Sequence, residues 1–161
     1  MPCLIAAPAS GSGKTLVSLA LTALARRRGQ GIQTFKVGPD YLDPQLLAAA
    51  SGRPCRNLDP LLCGEPWVQR CFAQHGSRAE LALVEGVMGL FDGRGPSSEG
   101  SSAHVATLLG LPVVLVAVAA HANEDHTSEP QSVLVIAEAP HEGGQGTGLA
   151  AGVHHQHHRQ A

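Results

Sequence analysis

A glycine-rich turn ending in a lysine and a threonine, Ser10-Gly11-Ser12-Gly13-Lys14-Thr15, admits few folds. The apolar run Cys3 to Ala7 precedes it and reads as a buried strand. From Lys14 to Arg28, Leu16, Leu19, Ala20, Ala23 and Leu24 recur at helical spacing, and Gly29 and Gly31 stop the helix. Strand, glycine turn and helix in that order are the setting a phosphate-binding loop requires. The glycines let the backbone curl until several N–H groups face phosphate oxygens, and the helix start adds its positive dipole end. Ser10, Gly11, Ser12 and Gly13 are therefore assigned to phosphate, Lys14 to the β- and γ-phosphates and Thr15 to Mg²⁺. Pro8 stands where the usual pattern has its first glycine.

Beyond the turn, strands and helices alternate. Ile32 to Val37 reads as a second strand, Leu81 to Glu85 as a third and Leu111 to Val118 as a fourth. Helices are expected at Pro44 to Ala50, N-capped by Asp43, at Glu65 to Gln74, with Pro66 in its first turn, and at His104 to Leu109. Such alternation predicts an α/β fold, a parallel sheet flanked by helices, of the phosphate-loop NTPase type. Gly86 to Ser102 is a long Gly- and Ser-rich loop, and loops of that length are often functional. Aromatic residues make up only 3% of the chain, so Leu, Val and Ala must build the core.

Charge and cysteine usage exclude several classes. The formal net charge of −2 leaves no footprint for nucleic acid or an anionic membrane. The basic triplet Arg26-Arg27-Arg28 is read as compensation for a helix dipole. Cys3, Cys55, Cys63 and Cys71 form no CxxC pair and suit reduced thiols in a cytoplasmic protein. No signal peptide is read at the amino terminus, and the apolar run Leu111 to Ala120 falls short of the ~20 residues that cross a bilayer.

Two loops leave strands at their carboxyl ends, where ligands collect in open parallel sheets. Phe35-Lys36-Val37-Gly38-Pro39-Asp40-Tyr41-Leu42-Asp43-Pro44 follows the second strand, and Val84-Glu85-Gly86-Val87-Met88-Gly89-Leu90-Phe91-Asp92-Gly93 the third. Glu85, ending a buried strand, is the better candidate to join Thr15 on the metal. Lys36 is suited to neutralising a γ-phosphate, and Asp40 and Asp92 to holding an acceptor or nucleophile.

These motifs, with Asn57-Leu58-Asp59-Pro60 and the run from Ser101 to Val116, resemble the cobyrinic acid a,c-diamide synthase family over roughly residues 1–116. That family tolerates a proline at the position of Pro8 and belongs with dethiobiotin synthetase and the partition and septum-site ATPases. The resemblance implies ATP and Mg²⁺ as cofactors. They activate the a and c carboxylates of cobyrinic or hydrogenobyrinic acid, a corrinoid, which ammonia from glutamine converts to amides in cobalamin biosynthesis. It implies phosphate and Mg²⁺ binding by Gly11, Gly13, Lys14 and Thr15, and a metal-associated Glu85. Asp40, Tyr41, Leu42 and Asp92 take corrinoid-side or catalytic roles. A homodimer is a further expectation, and a nucleotide-switch ATPase or an inactive fragment the alternative. Against a partition-type switch, Ala9 and Ser10 occupy the stretch where such proteins carry a second lysine.

The likeness stops where the family strand runs on into an Asp-containing loop; here Ala117 to His121 lacks that residue. No cysteine lies in a glutaminase setting. The expectation is a partial, incomplete synthetase domain over 1–116, poorly soluble because a strand edge is left open. Residues 117–161 form a separate, low-complexity His- and Gly-rich tail, disordered or out of frame. Seven of the nine histidines lie at or beyond His121, and Ser132 to Ala137 is its single candidate strand. The cluster His154-His155-Gln156-His157-His158 would take up Ni²⁺ or Zn²⁺ in vitro.

Overall fold

The structure, a computed structural model, describes residues 1–120 and 130–138. The elements follow in the order β1 (Pro2–Ala6), α1 (Lys14–Arg27), β2 (Ile32–Val37), α2 (Leu42–Ser51), β3 (Arg56–Leu58), α3 (Pro60–Cys63), α4 (Glu65–Gly76), β4 (Leu81–Glu85), α5 (Ser102–Leu109), β5 (Val113–Ala120) and β6 (Pro130–Glu138). The sheet order is β3-β2-β4-β1-β5-β6. Its first five strands are parallel, as the alternation predicts, while β6 runs antiparallel to β5. The β5–β6 ladder extends from Val113–Glu138 to Ala120–Pro130, so the expected boundary at residue 116 falls inside β5. The histidine cluster at 154–158 lies outside the described residues.

Right-handed crossovers decide which face each helix covers. The steps β1 to β2 and β2 to β3 go one way along the sheet, so α1 and α2 share a face. The return steps put α4 and α5 on the other. Strand parity follows. Leu4, Ala6, Phe35, Val37 and Val84 are buried with Val68 and Cys71 of α4 and Val105 of α5. Ile5, Ile32, Leu83 and Val116 are buried with Ala25 of α1. Phe35, fully buried, meets Phe72 at a centroid distance of 5.1 Å and a tilt of 47°. Short strands buried on both faces read as continuous apolar runs, which is why β1 and β4 were legible.

Four local expectations are corrected. The inward face of α1 is Lys14, Ser18, Thr22 and Ala25, whereas Leu16 is 73% exposed and Leu24 43%. Lys14 must turn into the cleft, so residues four, eight and eleven further on follow it onto the sheet. The Thr22 hydroxyl is satisfied within the helix by Ser18 O at 2.7 Å. Asp43 is not the cap of α2 but lies inside its first turn. Asp40 does the capping, its Oδ1 accepting from Leu42 N at 2.9 Å and Asp43 N at 3.2 Å. Helix α5 starts two residues earlier than His104, because Ser101 caps it by accepting from His104 N. Finally, β3 and α3 went unpredicted; three and four residues are too few for periodicity to register.

Candidate functional site

The carboxyl ends of β1, β2 and β4 meet at one cleft of about 400 Å³. Its walls include Ser10, Gly11, Gly13, Lys14, Thr15, Lys36, Asp40, Asp43, Val87 and Met88. Gly11 and Gly13 take φ of +78° and +86°, the left-handed backbone that lets the loop curl. Ser12 is the one loop residue of Ser10–Thr15 that turns from the cleft, its hydroxyl donating to Ala9 O at 2.9 Å.

Beneath the loop lies a charge network. Lys36 and Glu85 are register partners on β2 and β4, and their side chains fall on the α1 side of the sheet. Lys36 Nζ donates to Glu85 Oε1 at 2.9 Å and to Gly86 O at 3.0 Å. It also pairs with Asp43 at 2.9 Å and, more distantly, with Asp40 at 3.9 Å. Thr15 Oγ1 donates to Glu85 Oε1 at 2.8 Å, with Asp43 Oδ2 at 3.5 Å. Burial pushes the Lys36 ammonium down, but its hydrogen bonds to Asp43 and Glu85 and their charges outweigh it, so Lys36 is held above its ordinary value. Burial likewise pushes Asp43 up, and the Lys36 hydrogen bond and charge overcome it, holding the carboxyl below its ordinary value.

Lys14 is placed differently. Burial first and the Lys36 charge second lower its proton affinity. Its Nζ donates to Met88 O at 2.5 Å and Ala9 O at 3.4 Å, two carbonyls standing where phosphate oxygens would accept. Met88 is the one non-glycine residue at positive φ among the described residues, at +49°.

Asp92 does not line the cleft; its Oδ2 accepts from Gly89 N at 2.8 Å and shapes the loop. Tyr41 and Leu42 stand at the rim, 84% and 69% exposed. The assigned phosphate and metal residues other than Ser12 therefore converge, with Lys36 and Asp40 beside them, while Asp92, Tyr41 and Leu42 lie outside the cleft.

Three positioning residues escaped the sequence reading. Asn57 donates to Gly38 O at 2.8 Å and Asp40 O at 2.7 Å, fixing the loop that presents Asp40. Ser102 Oγ accepts from Val87 N at 2.9 Å and donates to Val87 O at 3.1 Å, pinning the second loop. His104 accepts from Gly100 N at 3.0 Å and meets Glu65 at 3.1 Å, closing the same loop against α4. Asn57 stands in the quoted Asn-Leu-Asp-Pro motif and Ser102 and His104 in the quoted run from Ser101 to Val116, which were the available signals.

With the geometry established, relatives can be compared. A cobyrinate a,c-diamide synthase from Synechocystis is 50% identical over 119 residues, 72% of this chain. One from Syntrophotalea carbinolica is 56% identical over 113 residues, 70% of the chain. The chain belongs to the cobyrinate a,c-diamide synthase family. A hydrogenobyrinate a,c-diamide synthase from Mycobacterium tuberculosis is 51% identical over 117 residues, 70% of the chain. The chain spans about a quarter of the length of these relatives, 25% for the first two and 26% for the third. No family profile matches it. Among the described residues, no helix is long and apolar enough to cross a membrane.

Proposed function

We propose that this chain supplies the nucleotide site of an enzyme that amidates the a and c carboxylates of cobyrinic or hydrogenobyrinic acid. ATP and Mg²⁺ serve as cofactors and glutamine as the source of ammonia. The observation that carries the reading is the Lys14–Thr15–Glu85–Asp43 cluster at the carboxyl edge of a parallel sheet, in a chain half identical to named synthases. The residues fit a hard cation. Glu85 Oε2 is buried without a hydrogen-bond partner, a costly state for a carboxylate oxygen unless something positive shares the site. One hydroxyl and two carboxylates suit Mg²⁺, which takes few protein ligands and keeps phosphate and water.

When bound, ATP·Mg²⁺ would supply the phosphoryl group that turns a carboxylate into an acyl phosphate, from which ammonia displaces phosphate. The chain's own residues bind and orient. Gly11 and Gly13 turn backbone N–H groups toward the phosphates, and Lys14 exchanges Met88 O for a phosphate oxygen. Lys36 holds Glu85 and Asp43 in place from below. Asp40, Tyr41 and Leu42 stand on the side from which the acceptor would approach. Tyr41 and Leu42, 84% and 69% exposed, offer apolar surface to a broad macrocycle.

Titration of ATP·Mg²⁺ into the chain and into Lys14→Ala tests the nucleotide site. The wild type should bind and the variant lose at least about tenfold, since one charge-assisted phosphate contact is worth about 1.5–3 kcal/mol. Equal affinities would overturn the site. Amide formation on cobyrinic and hydrogenobyrinic acid, read by mass spectrometry with the full-length relative carrying the same substitution, tests the reaction.

A further inference from the structure

The edge of the sheet opposite the nucleotide cleft gathers six arginines that are scattered along the chain. Arg26, Arg27 and Arg28 end α1, Arg53 follows α2, Arg56 opens β3 and Arg78 precedes β4. Contacts tie Arg26 to the end of α2 and Arg53 to Arg78. The Arg26 guanidinium lies over Gly52 and donates to Ala50 O at 3.3 Å. Arg53 lies over Gly31 and donates to Arg78 O at 2.8 Å. Arg56 and Arg78 both act on His75 at the end of α4. Five of the six are exposed and Arg53 is half-buried. Among the described residues, none of the six forms an ion pair.

A bland account exists, and its magnitude falls short. Helices α1, α2 and α4 all end at this edge, because each runs back against the strands. Their carboxyl ends bring about −0.5 charge each, together roughly −1.5. Glu80, whose Oε2 accepts from Gly31 N at 2.8 Å, is the carboxylate in the patch. Six guanidinium charges exceed both contributions by about three to four. A surplus of that size on one face, unpaired, is what a surface has when its counter-charge comes from elsewhere.

We infer that this arginine edge is a docking surface for a carboxylate-rich protein surface. Guanidinium forks held by backbone carbonyls keep their remaining N–H groups preorganised for bidentate carboxylates. Between Arg53 and Arg78, with Ser77 beside them, a depression of about 500 Å³ is large enough to seat an acidic side chain. Nucleic acid fits less well. The exposed aromatics on which bases would stack, Tyr41, Trp67 and Phe91, lie toward the opposite edge, at the cleft rims and the amino end of α4.

The test is fluorescence anisotropy of a labelled oligoglutamate peptide with the whole chain, at low and physiological salt. It compares Arg53→Glu/Arg78→Glu with Arg70→Glu/Arg94→Glu, which reverses two charges outside the patch and changes net charge equally. The wild type and the outside variant should bind alike, and the patch variant about tenfold or more weaker, with affinity falling as salt rises. Should the patch variant not melt cooperatively, Arg27→Glu/Arg28→Glu takes its place with the same expected loss. No binding by the wild type, equal loss in inside and outside variants, or tighter binding of a labelled oligothymidylate would each overturn the inference.

Discussion

At the scale of single residues, Lys36 is the keystone of the cleft, lining its wall while staying almost wholly buried. It stands 3% exposed between a fully buried Glu85 and a half-buried Asp43. Removing it strands a buried carboxylate, and breaking such a pair costs about 3–5 kcal/mol. The pH dependence has a defined sign. Asp43 is depressed, so its contribution is complete above the ordinary carboxylate range and is lost as pH falls through its lowered value. Lys36 is raised, so its contribution is complete below the ordinary lysine range and is lost as pH rises past that range. The pair therefore adds no slope between about pH 5 and 10. In Lys36→Met the sign inverts, because protonation relieves the stranded carboxylates. Denaturant melts of that variant should show lower stability at pH 8 and recovery toward pH 5. A variant that melts like the wild type at both would show that the ion network contributes little.

At the scale of elements, the loop from Gly86 to Ser101 is welded to the phosphate loop by backbone contacts. Leu90 N donates to Ala7 O at 2.8 Å, and Lys14 holds Met88 O. At Gly89 an added Cβ would stand 2.6 Å from Pro8 O and 2.8 Å from Asp92 Oδ2. Pro8 heads the turn proposed to receive phosphate, so the collision pushes on that loop itself. Gly89→Ala should destabilise by about 1–3 kcal/mol, the usual cost of overpacking, and weaken ATP·Mg²⁺ binding measured by calorimetry. Unchanged binding would mean that the two loops move independently. Helix α1 makes the complementary point. Its apolar stripe at helical spacing was legible, but its rotation was set by Lys14, and small polar residues went inward.

At the scale of the whole molecule, the proposed nucleotide binding is linked to folding. The cleft draws residues from β1, β2, β4 and their following loops, so it exists only in the folded sheet. Ligand at about 100 times its dissociation constant should add about 2.7 kcal/mol of stability. Thermal melts should therefore shift upward with ATP·Mg²⁺ in the wild type and stay fixed in Lys14→Ala. A shift of equal size in both would place the stabilising site elsewhere. The arginine edge belongs to this scale too, since its six members come from three separate segments of chain.

By sequence alone, the alternation of apolar runs with helical patterns determined the parallel sheet, and the glycine turn with Lys14 and Thr15 marked the loop that curls at the carboxyl end of β1. Both signals are local: a few adjacent residues carry each. The two carboxylate loops were legible as motifs because the ends of parallel strands must share one edge. Only tertiary structure decided how the charges were shared. Asp43 left the cap role for Lys36 and Thr15 because Asp40 already satisfied the helix start. Asn57 and Ser102 became loop clamps through partners 15 to 19 residues away. The six arginines became one surface because helix ends and strand starts meet at one pole. Such pairings depend on distance in space, which no spacing along the chain encodes.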